Sequence, residues 1–278
     1  MKKSKEYYAG VNGLKIFYRA WIPDNPKAVV QIVHGFAEHS NRYINVVNEL
    51  IPHSYAVYAN DLRGHGKSQG IRTYLVSLNE YIEDARIFYD IIQKKYPDLP
   101  IFLLGHSMGT IISIHFAEKY EALLNGLILS GIVAMPKSFD LLIKLIIPVV
   151  KLLAKFAPKL RLKLPLGGKF ISSDEKVVEA YNNDPLVNTT LTINLAKELA
   201  LYIRGLLKKI GRLKLPTLIQ CGEKDLAASG LSYTASCFTM VDKTIKKYKG
   251  LHHEVYNEIE LGKKKVLNDL RVWLDNHI

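Results

Sequence analysis

The strongest constraint in the sequence is a glycine-flanked serine between an apolar run and a helical pattern. Ile101–Leu104 leads directly into GHSMG at residues 105–109, and helical spacing of apolar residues begins at Thr110. A chain that turns from strand to helix in so few residues needs small residues beside the turn and strains the backbone of the central residue. The pattern therefore predicts Ser107 as a nucleophile exposed at the carboxyl edge of a sheet, with the Met108 amide directed at the same point.

Apolar runs and helical patterns alternate along most of the chain. The predicted strands are Leu14–Trp21, Ala28–Val33, Tyr55–Asn60, Ile101–Leu104, Leu127–Ser130, Thr217–Cys221 and Thr244–Tyr248. The predicted helices are Tyr43–Ile51, Leu78–Tyr96, Thr110–Tyr120 and Gly262–His277. Several strands are apolar on both faces, as expected for strands that helices cover on both sides. The alternation predicts an α/β fold with a mostly parallel central sheet and helices on both faces.

The alternation is interrupted once, between Gly131 and Pro216, and charge marks the same segment. The chain has 38 Lys and Arg against 26 Asp and Glu, a net charge of +12. Residues 136–215 contribute 15 basic and 6 acidic side chains, or +9, and the remaining residues contribute +3. We therefore predict a core of residues 1–135 and 216–278 that is interrupted by a helical cap, residues 136–215.

Composition excludes several other classes of protein. A hydrophobic content of 48% and a charged content of 23% are typical of globular chains and argue against disorder. The two cysteines, Cys221 and Cys237, lack the spacing of a zinc site, and no metal or other cofactor is predicted. The basic N-terminus continues into polar residues, so no signal peptide is predicted and a cytoplasmic location is expected. Nucleic acid is not a predicted partner, because the basic residues alternate with Leu and Ile rather than with aromatic or polar side chains.

A serine nucleophile needs a base, and the base needs a carboxylate that orients it. In a strand–turn–helix site of this kind the chain order is Ser, then Asp or Glu, then His. The candidates are Glu223 and Asp225 after one late strand and His252 and His253 after the next. All four follow carboxyl ends of strands, which is the edge at which Ser107 emerges. Spacing alone does not choose within either pair.

A second backbone donor for a developing oxyanion should come from a loop after an early strand. The predicted strand Ala28–Val33 continues into His34-Gly35-Phe36, so the Phe36 amide is the candidate. Gly35 allows close approach of the backbone, and His34 is expected to support the loop rather than to do chemistry.

Six motifs between about residue 34 and residue 258 carry a family resemblance. They are HGFAEHSNRY, DLRGHGKSQG, GHSMG, YNNDPLV, CGEKD and GLHHE. The set resembles the monoacylglycerol lipase and lysophospholipase branch of the α/β-hydrolase superfamily, which implies an α/β-hydrolase fold with an inserted helical cap. Two residues depart from the pattern of the branch: Thr110 stands where it usually has a glycine, and Phe36 is bulkier than the residue often found there. Both departures concern the shape of the acyl pocket.

The resemblance also chooses within the pairs that spacing leaves open. It implies a catalytic triad of Ser107, Asp225 and His253, with the Phe36 and Met108 amides as the oxyanion hole. His253 is preferred because the branch places its histidine three residues after a loop glycine, here Gly250.

The implied activity is hydrolysis of carboxylic esters through an acyl-enzyme on Ser107. The first choice of substrate is a medium- to long-chain monoacylglycerol, because of the resemblance and the apolar cap. A lysophospholipid is the second choice, and a general carboxylesterase acting on a small ester or peptide is the third. An alternative of a different class is a non-catalytic membrane-surface binding protein with a hydrolase fold.

The cap contains one unusually apolar helical segment, Phe139–Ala157. Its charged positions include Lys144, Lys151 and Lys155, which fall on one narrow stripe of the helix. The longest uncharged run is too short to span a membrane. We predict an interfacial lid that contacts an anionic membrane surface, with a packed cap helix as the alternative, and we expect Pro148 to divide the segment into two helices.

Overall fold

The structure is a computed structural model that describes residues 1–164 and 167–278. The strands, in chain order, are β1 (Lys2–Ala9), β2 (Lys15–Ile22), β3 (Ala28–Val33), β4 (Tyr55–Asn60), β5 (Ile101–His106), β6 (Gly126–Ser130), β7 (Arg161–Lys163), β8 (Thr190–Thr192), β9 (Thr217–Gly222) and β10 (Lys243–Tyr248). The α-helices are α1 (Ile44–Leu50), α2 (Asn79–Lys95), α3 (Met108–Tyr120), α4 (Phe139–Phe156), α5 (Gly168–Ile171), α6 (Glu175–Asn183), α7 (Ile193–Ile210), α8 (Leu231–Ser236) and α9 (Glu260–Asp275).

Eight of these strands form one central sheet in the order β1-β2-β4-β3-β5-β6-β9-β10. In this order the pairs β1–β2 and β2–β4 are antiparallel. The remaining five pairs, from β4–β3 to β9–β10, are parallel. All seven predicted strands lie in this sheet, and the predicted mostly parallel architecture is confirmed. The carboxyl ends of β3, β5, β9 and β10 therefore point toward the same edge.

The edge strand β1 could not be read from the sequence. Its residues, KKSKEYYA, contain no apolar run, and most of its side chains are exposed. β1 pairs with β2 alone, and a strand at the edge of a sheet needs no second apolar face. Lysines along such an edge also discourage pairing with another chain.

Helices cover both faces of the sheet, as predicted. Alternate residues of β5 enter two separate apolar layers: Leu103 packs with α2 and α3 on one side, and Phe102 and Leu104 pack with α1 and α9 on the other. The period-two alternation of a strand explains why a fully apolar run is required here. The two layers fix β5, and with it the turn at Ser107, from both sides.

Residues 136–215, referred to below as the cap segment, connect β6 to β9. The segment contains α4 to α7 and a separate antiparallel pair, β7 and β8. α7 packs against α3 of the central fold, and α4 packs along α7. α4 is therefore the outer of the two long helices of the segment.

The expectation that Pro148 divides the cap helix in two is wrong. α4 runs without a break from Phe139 to Phe156 with Pro148 inside it. A proline in a helix leaves the carbonyl four residues earlier, here that of Lys144, without its N–H partner. Both residues are exposed, so water can reach that carbonyl and the helix continues.

Most apolar side chains of α4 face outward. Ile147 and Ala154 are its only buried residues, whereas Leu145 is 64% exposed and Phe156 is 75% exposed. The further exposed apolar residues of α4 are Phe139, Leu141, Leu142, Ile146, Val149, Leu152 and Leu153. A search of the described ranges finds no helix that combines the length and the apolar character needed to cross a membrane.

Candidate active site

Ser107 occupies the tight turn between β5 and α3. Its backbone has φ 52° and ψ −121°, a left-handed conformation that a residue with a side chain seldom adopts. A Cβ atom on Gly109 would collide with the carbonyl oxygens of Val33 and His34. The turn therefore needs glycine beside the serine, as the sequence pattern predicts.

The structure brings one acid and one histidine of the predicted pairs together. His253 Nδ1 lies 2.9 Å from Asp225 Oδ1, and both residues are about 5% exposed or less. Asp225 Oδ1 also accepts a hydrogen bond from the Ala227 amide at 2.9 Å. This carboxylate holds the histidine through Nδ1 and leaves Nε2 available.

The other member of each pair lies elsewhere. Glu223 is exposed and accepts a hydrogen bond from the Gly250 amide at 3.3 Å. His252 Nδ1 lies 2.8 Å from Ser173 Oγ and 3.1 Å from Glu258 Oε1. Because both contacts use the same ring nitrogen, His252 is not arranged to pass a proton from a serine to a carboxylate.

Ser107 and His253 line one cavity of about 190 Å³. Its apolar wall includes Phe36, Phe170 and Ile171, the last two from the cap segment. The Phe170 ring lies 5.1 Å from that of His253, centroid to centroid. Neither cap residue was predicted, because nothing in their spacing links them to a motif 60 residues away.

The loop after β3 is rigidly held beside Ser107. The Leu62 amide donates to His34 Nε2 at 2.8 Å, so Nδ1 carries the proton and donates to the Gly35 carbonyl at 2.7 Å. Burial lowers the pKa of His34 to about 3, which keeps the ring neutral. His34 supports the loop, as expected.

The two predicted oxyanion-hole donors, the Phe36 and Met108 amides, follow Gly35 and Ser107 in the chain. Phe36 is the residue that follows Gly35, and Met108 is the first residue of α3, where helix amides have no acceptor within the helix. In the part of the chain described, neither amide donates to another protein group. Both are available to a ligand, and the dipole of α3 adds positive potential at Met108.

A buried polar cluster lies at one side of the cavity. Arg42 donates to Glu254 Oε2 at 2.6 Å, and its guanidinium lies 4.8 Å from the centre of the Tyr181 ring. Glu38 accepts hydrogen bonds from the Gly35 amide at 2.5 Å and from the Tyr43 hydroxyl at 2.9 Å. Burial, together with the neighbouring Glu254 charge, raises the pKa of Glu38 to about 8.

Residue spacing alone predicts no role for these groups. Glu38 and Arg42 belong to the motif HGFAEHSNRY, and Tyr181 opens YNNDPLV, so the signal was present in the motifs. The two motifs also meet directly, because His39 Nε2 lies 2.8 Å from Asp184 Oδ2. The cap segment is thereby joined to the loop beside Ser107.

The three lysines predicted for a membrane contact are all exposed on α4, and none lines the cavity at Ser107. Within the described residues, Lys144, Lys151 and Lys155 form no ion pair with an acidic side chain. Lys144 differs from the other two because it lines a second cavity, between α4 and α7.

Cys221 is buried beneath the acid loop, and burial raises the pKa of its thiol to about 12. A thiol of this kind stays protonated and unreactive near neutral pH. The packed, inert role expected for it is consistent with this environment.

Comparison with known proteins finds similarity along nearly the entire chain. The family described as "Hydrolase_4: Serine aminopeptidase, S33" matches residues 24–260. A monoacylglycerol lipase of Mycolicibacterium smegmatis is 35% identical, over 99% of this chain and 98% of that protein. Phospholipase YtpA of Bacillus subtilis is 30% identical, over 93% of this chain and 99% of that protein. The crystal structure of Paleococcus ferrophilus monoacylglycerol lipase superposes with a TM-score of 0.81 at 28% identity, covering 98% of this chain and all of that one.

Proposed function

This chain belongs to the monoacylglycerol lipase and lysophospholipase branch of the α/β-hydrolase superfamily, and we propose that it releases fatty acid and glycerol from monoacylglycerols. It is a serine ester hydrolase. The observation that carries the proposal is the shared cavity of Ser107 and His253, with Asp225 bonded to the far side of the imidazole.

The mechanism follows from these positions. His253 Nε2 takes the proton of Ser107 as its oxygen attacks the ester carbonyl, and Asp225 stabilises the imidazolium that forms. The Phe36 and Met108 amides stabilise the oxyanion. His253 then gives the proton to the departing glycerol oxygen, leaving an acyl-enzyme. Water, activated by the same histidine, attacks the acyl group and releases the fatty acid.

The polar cluster favours glycerol as the leaving group over a phosphate-containing one. Glu38, Tyr181 and Glu254 line the cavity and offer oxygen atoms that can pair with hydroxyl groups. The cavity lining includes two acidic residues and, among the described residues, neither Lys nor Arg. Among the side chains that the structure describes there, a phosphodiester would find no free cation, because the guanidinium of Arg42 is bound to Glu254.

Two alternative activities are suggested by other comparisons. Similarity to phospholipase YtpA favours a lysophospholipid substrate, and the family description names a serine aminopeptidase. The non-catalytic interpretation has no support, since these relatives carry the names of enzymes. Turnover of monoacylglycerol, lysophosphatidylcholine, p-nitrophenyl esters and an aminoacyl-anilide, measured side by side, separates the lipase, lysophospholipase, general carboxylesterase and aminopeptidase activities.

The catalytic residues are tested by labelling with a fluorophosphonate. We expect stoichiometric labelling of Ser107, lost in His253→Ala because the serine then lacks its base. His252→Ala and Ser173→Ala are matched controls, since they remove the neighbouring serine–histidine pair, and both should label like the unaltered protein. Loss of labelling in His252→Ala with retention in His253→Ala would refute the assignment.

We also propose that α4 contacts the surface of an anionic membrane. Its exposed apolar side chains argue against the alternative of a fully packed cap helix, since nine of them are between 41% and 75% exposed. Lys151 and Lys155 stand among them, and a basic residue near an anionic bilayer contributes about 1 kcal/mol to binding.

Co-sedimentation with vesicles tests the membrane contact. Vesicles rich in phosphatidylserine should bind the protein more tightly than neutral ones, and Lys151→Glu with Lys155→Glu should weaken that binding more than tenfold. Lys246→Glu with Lys247→Glu on β10 changes the charge equally but away from α4, and it should have little effect. Equal binding to both kinds of vesicle, unchanged by either pair, would contradict the proposal.

A further inference from the structure

A second cavity, of about 170 Å³, lies between α4 and α7, and among the described residues it shares no lining residue with the cavity at Ser107. Apolar side chains form much of its wall: Val133 and Met135 from the segment after β6, and Ile143, Ile203 and Leu206 from the two helices. Leu206 is buried, so this part of the wall belongs to the apolar interior. Such a wall accepts a hydrocarbon chain.

The rim of the cavity carries charge. Lys144 of α4 and Arg204 of α7 both line it and both are exposed, with Asp140 beside them. Asp140 and Lys144 are four residues apart on one helix, yet they form no ion pair, and Arg204 pairs with no acid in the ranges that the structure describes. The rim therefore has two cations from facing helices and a net charge of +1.

The cavity lies close to the nucleophile. The Val133 amide donates to Thr110 Oγ1 at 3.3 Å, and that hydroxyl donates to the Ser107 carbonyl at 2.6 Å. The wall between the two cavities is thus only a few residues thick. On its outer side the cavity borders α4, the helix proposed to contact the membrane.

From this geometry we infer that the second cavity binds a free fatty acid, with its carboxylate between Lys144 and Arg204 and its chain against Met135 and Ile203. A pocket with apolar side chains along its wall and two cations at its mouth suits a single hydrocarbon chain that ends in an anion. A fatty acid and an anionic phospholipid share that chemistry. The inference commits to the fatty acid, and it rests on the proposed function, because hydrolysis produces one fatty acid beside this cavity in each turnover.

Binding of laurate to the Ser107→Ala protein at pH 8, measured by calorimetry without membranes, tests the inference. Laurate should bind at least tenfold more tightly than dodecanol, and Lys144→Glu with Arg204→Glu should remove that difference. The pair Lys176→Glu with Lys208→Glu makes the same charge change on two cap-segment helices outside the cavity, and it should leave laurate binding unchanged. Equal affinity for laurate and dodecanol would overturn the inference, and tighter binding of lauroyl-lysophosphatidylglycerol than of laurate would assign the cavity to an anionic phospholipid instead.

The position of the bound chain is tested separately, with laurate that carries a diazirine at its terminal carbon. Crosslinks should form at residues around Val133 and Met135. Crosslinks confined to Phe170 and Ile171, in the cavity at Ser107, or to the outward face of α4 would overturn the inference. Neither experiment needs turnover, so failure here is distinct from failure of the proposed hydrolase activity, which the substrate panel measures.

Discussion

The side chain of Ser107 projects into its cavity because the backbone around it has almost no spare space. Gly109 lies against the carbonyl groups at the end of β3, and Gly35 lies so close to Ser107 that an added Cβ would be 2.9 Å from the serine Cβ. Glycine is required at these positions because β3 and the turn pack closely together, and not because the backbone must be flexible.

Substituting Gly109 tests this argument. Gly109→Ala should lower the free energy of unfolding by about 2–4 kcal/mol and abolish labelling of Ser107, because the methyl group forces β3 and α3 apart. Gly205→Ala is the matched control inside α7, where an added Cβ meets no described atom within 4 Å. It should raise the free energy of unfolding by about 0.5–1 kcal/mol. Chemical denaturation measures both, and equal destabilisation would contradict the packing argument.

The residues that the sequence predicts and those that it misses differ in how they reach the site. Ser107, Asp225 and His253 each follow a strand, so the topology of a parallel sheet alone places them at one edge. Tyr181 and Phe170 reach the cavity through the fold of the cap segment, which has no repeating pattern to read. Their positions depend on long-range contacts such as the one between His39 and Asp184.

Among the elements, α4 has the least typical surface. The spacing of its charged residues predicts a helix, and the structure differs from the prediction chiefly at Pro148, which does not divide it. Sequence alone could not decide whether the helix continues through Pro148. The free-energy cost of a proline inside a helix depends on whether water can reach the carbonyl that loses its N–H partner.

Removing the proline should strengthen α4. Pro148→Ala restores an N–H donor to the Lys144 carbonyl, and the local free energy of opening should rise by about 1–3 kcal/mol. Hydrogen exchange of the amides in residues 139–156 should slow accordingly, while exchange in α9 stays constant. Unchanged exchange in α4 would mean that the freed carbonyl costs the helix nothing.

Buried strands and the edge strand β1 differ in how well the sequence predicts them. Buried strands of the parallel sheet are apolar runs and were predicted within two residues at either end. β1 has one partner and an exposed surface, so its sequence carries too little apolar character to distinguish it from a loop.

Buried histidines couple the stability of the fold to pH. His115 of α3 is packed against Tyr202 of α7, and burial lowers its pKa to about 4. In the unfolded chain the same group titrates near 6.5, so the unfolded state binds more protons between pH 4 and 6.5. The stabilisation that neutral His115 contributes is fully present above pH 6.5 and is lost as the pH falls toward 4. His34 and His65, with pKa values lowered to about 3 and about 4, act in the same sense.

Replacing His115 should flatten this dependence. In His115→Gln, the slope of the free energy of unfolding between pH 4.5 and 6 should fall by up to one proton, about 1.4 kcal/mol per pH unit. Denaturation with urea at several pH values provides the slopes. His53→Gln removes an exposed histidine and serves as the comparison, and identical slopes for the two variants would contradict the linkage.

The uneven distribution of charge has a consequence for diffusion. With +9 on residues 136–215 and +3 on all the rest, the molecule carries a permanent electric dipole. Near an anionic surface a dipole experiences a torque as well as an attraction, so the molecule rotates as it approaches. At physiological ionic strength the field extends about 8 Å, and the rotation is confined to the last moments before contact. A larger share of collisions then occurs with α4 facing the membrane. The rate of association with the membrane should therefore exceed the value expected for random orientations, and it should decline as salt is added.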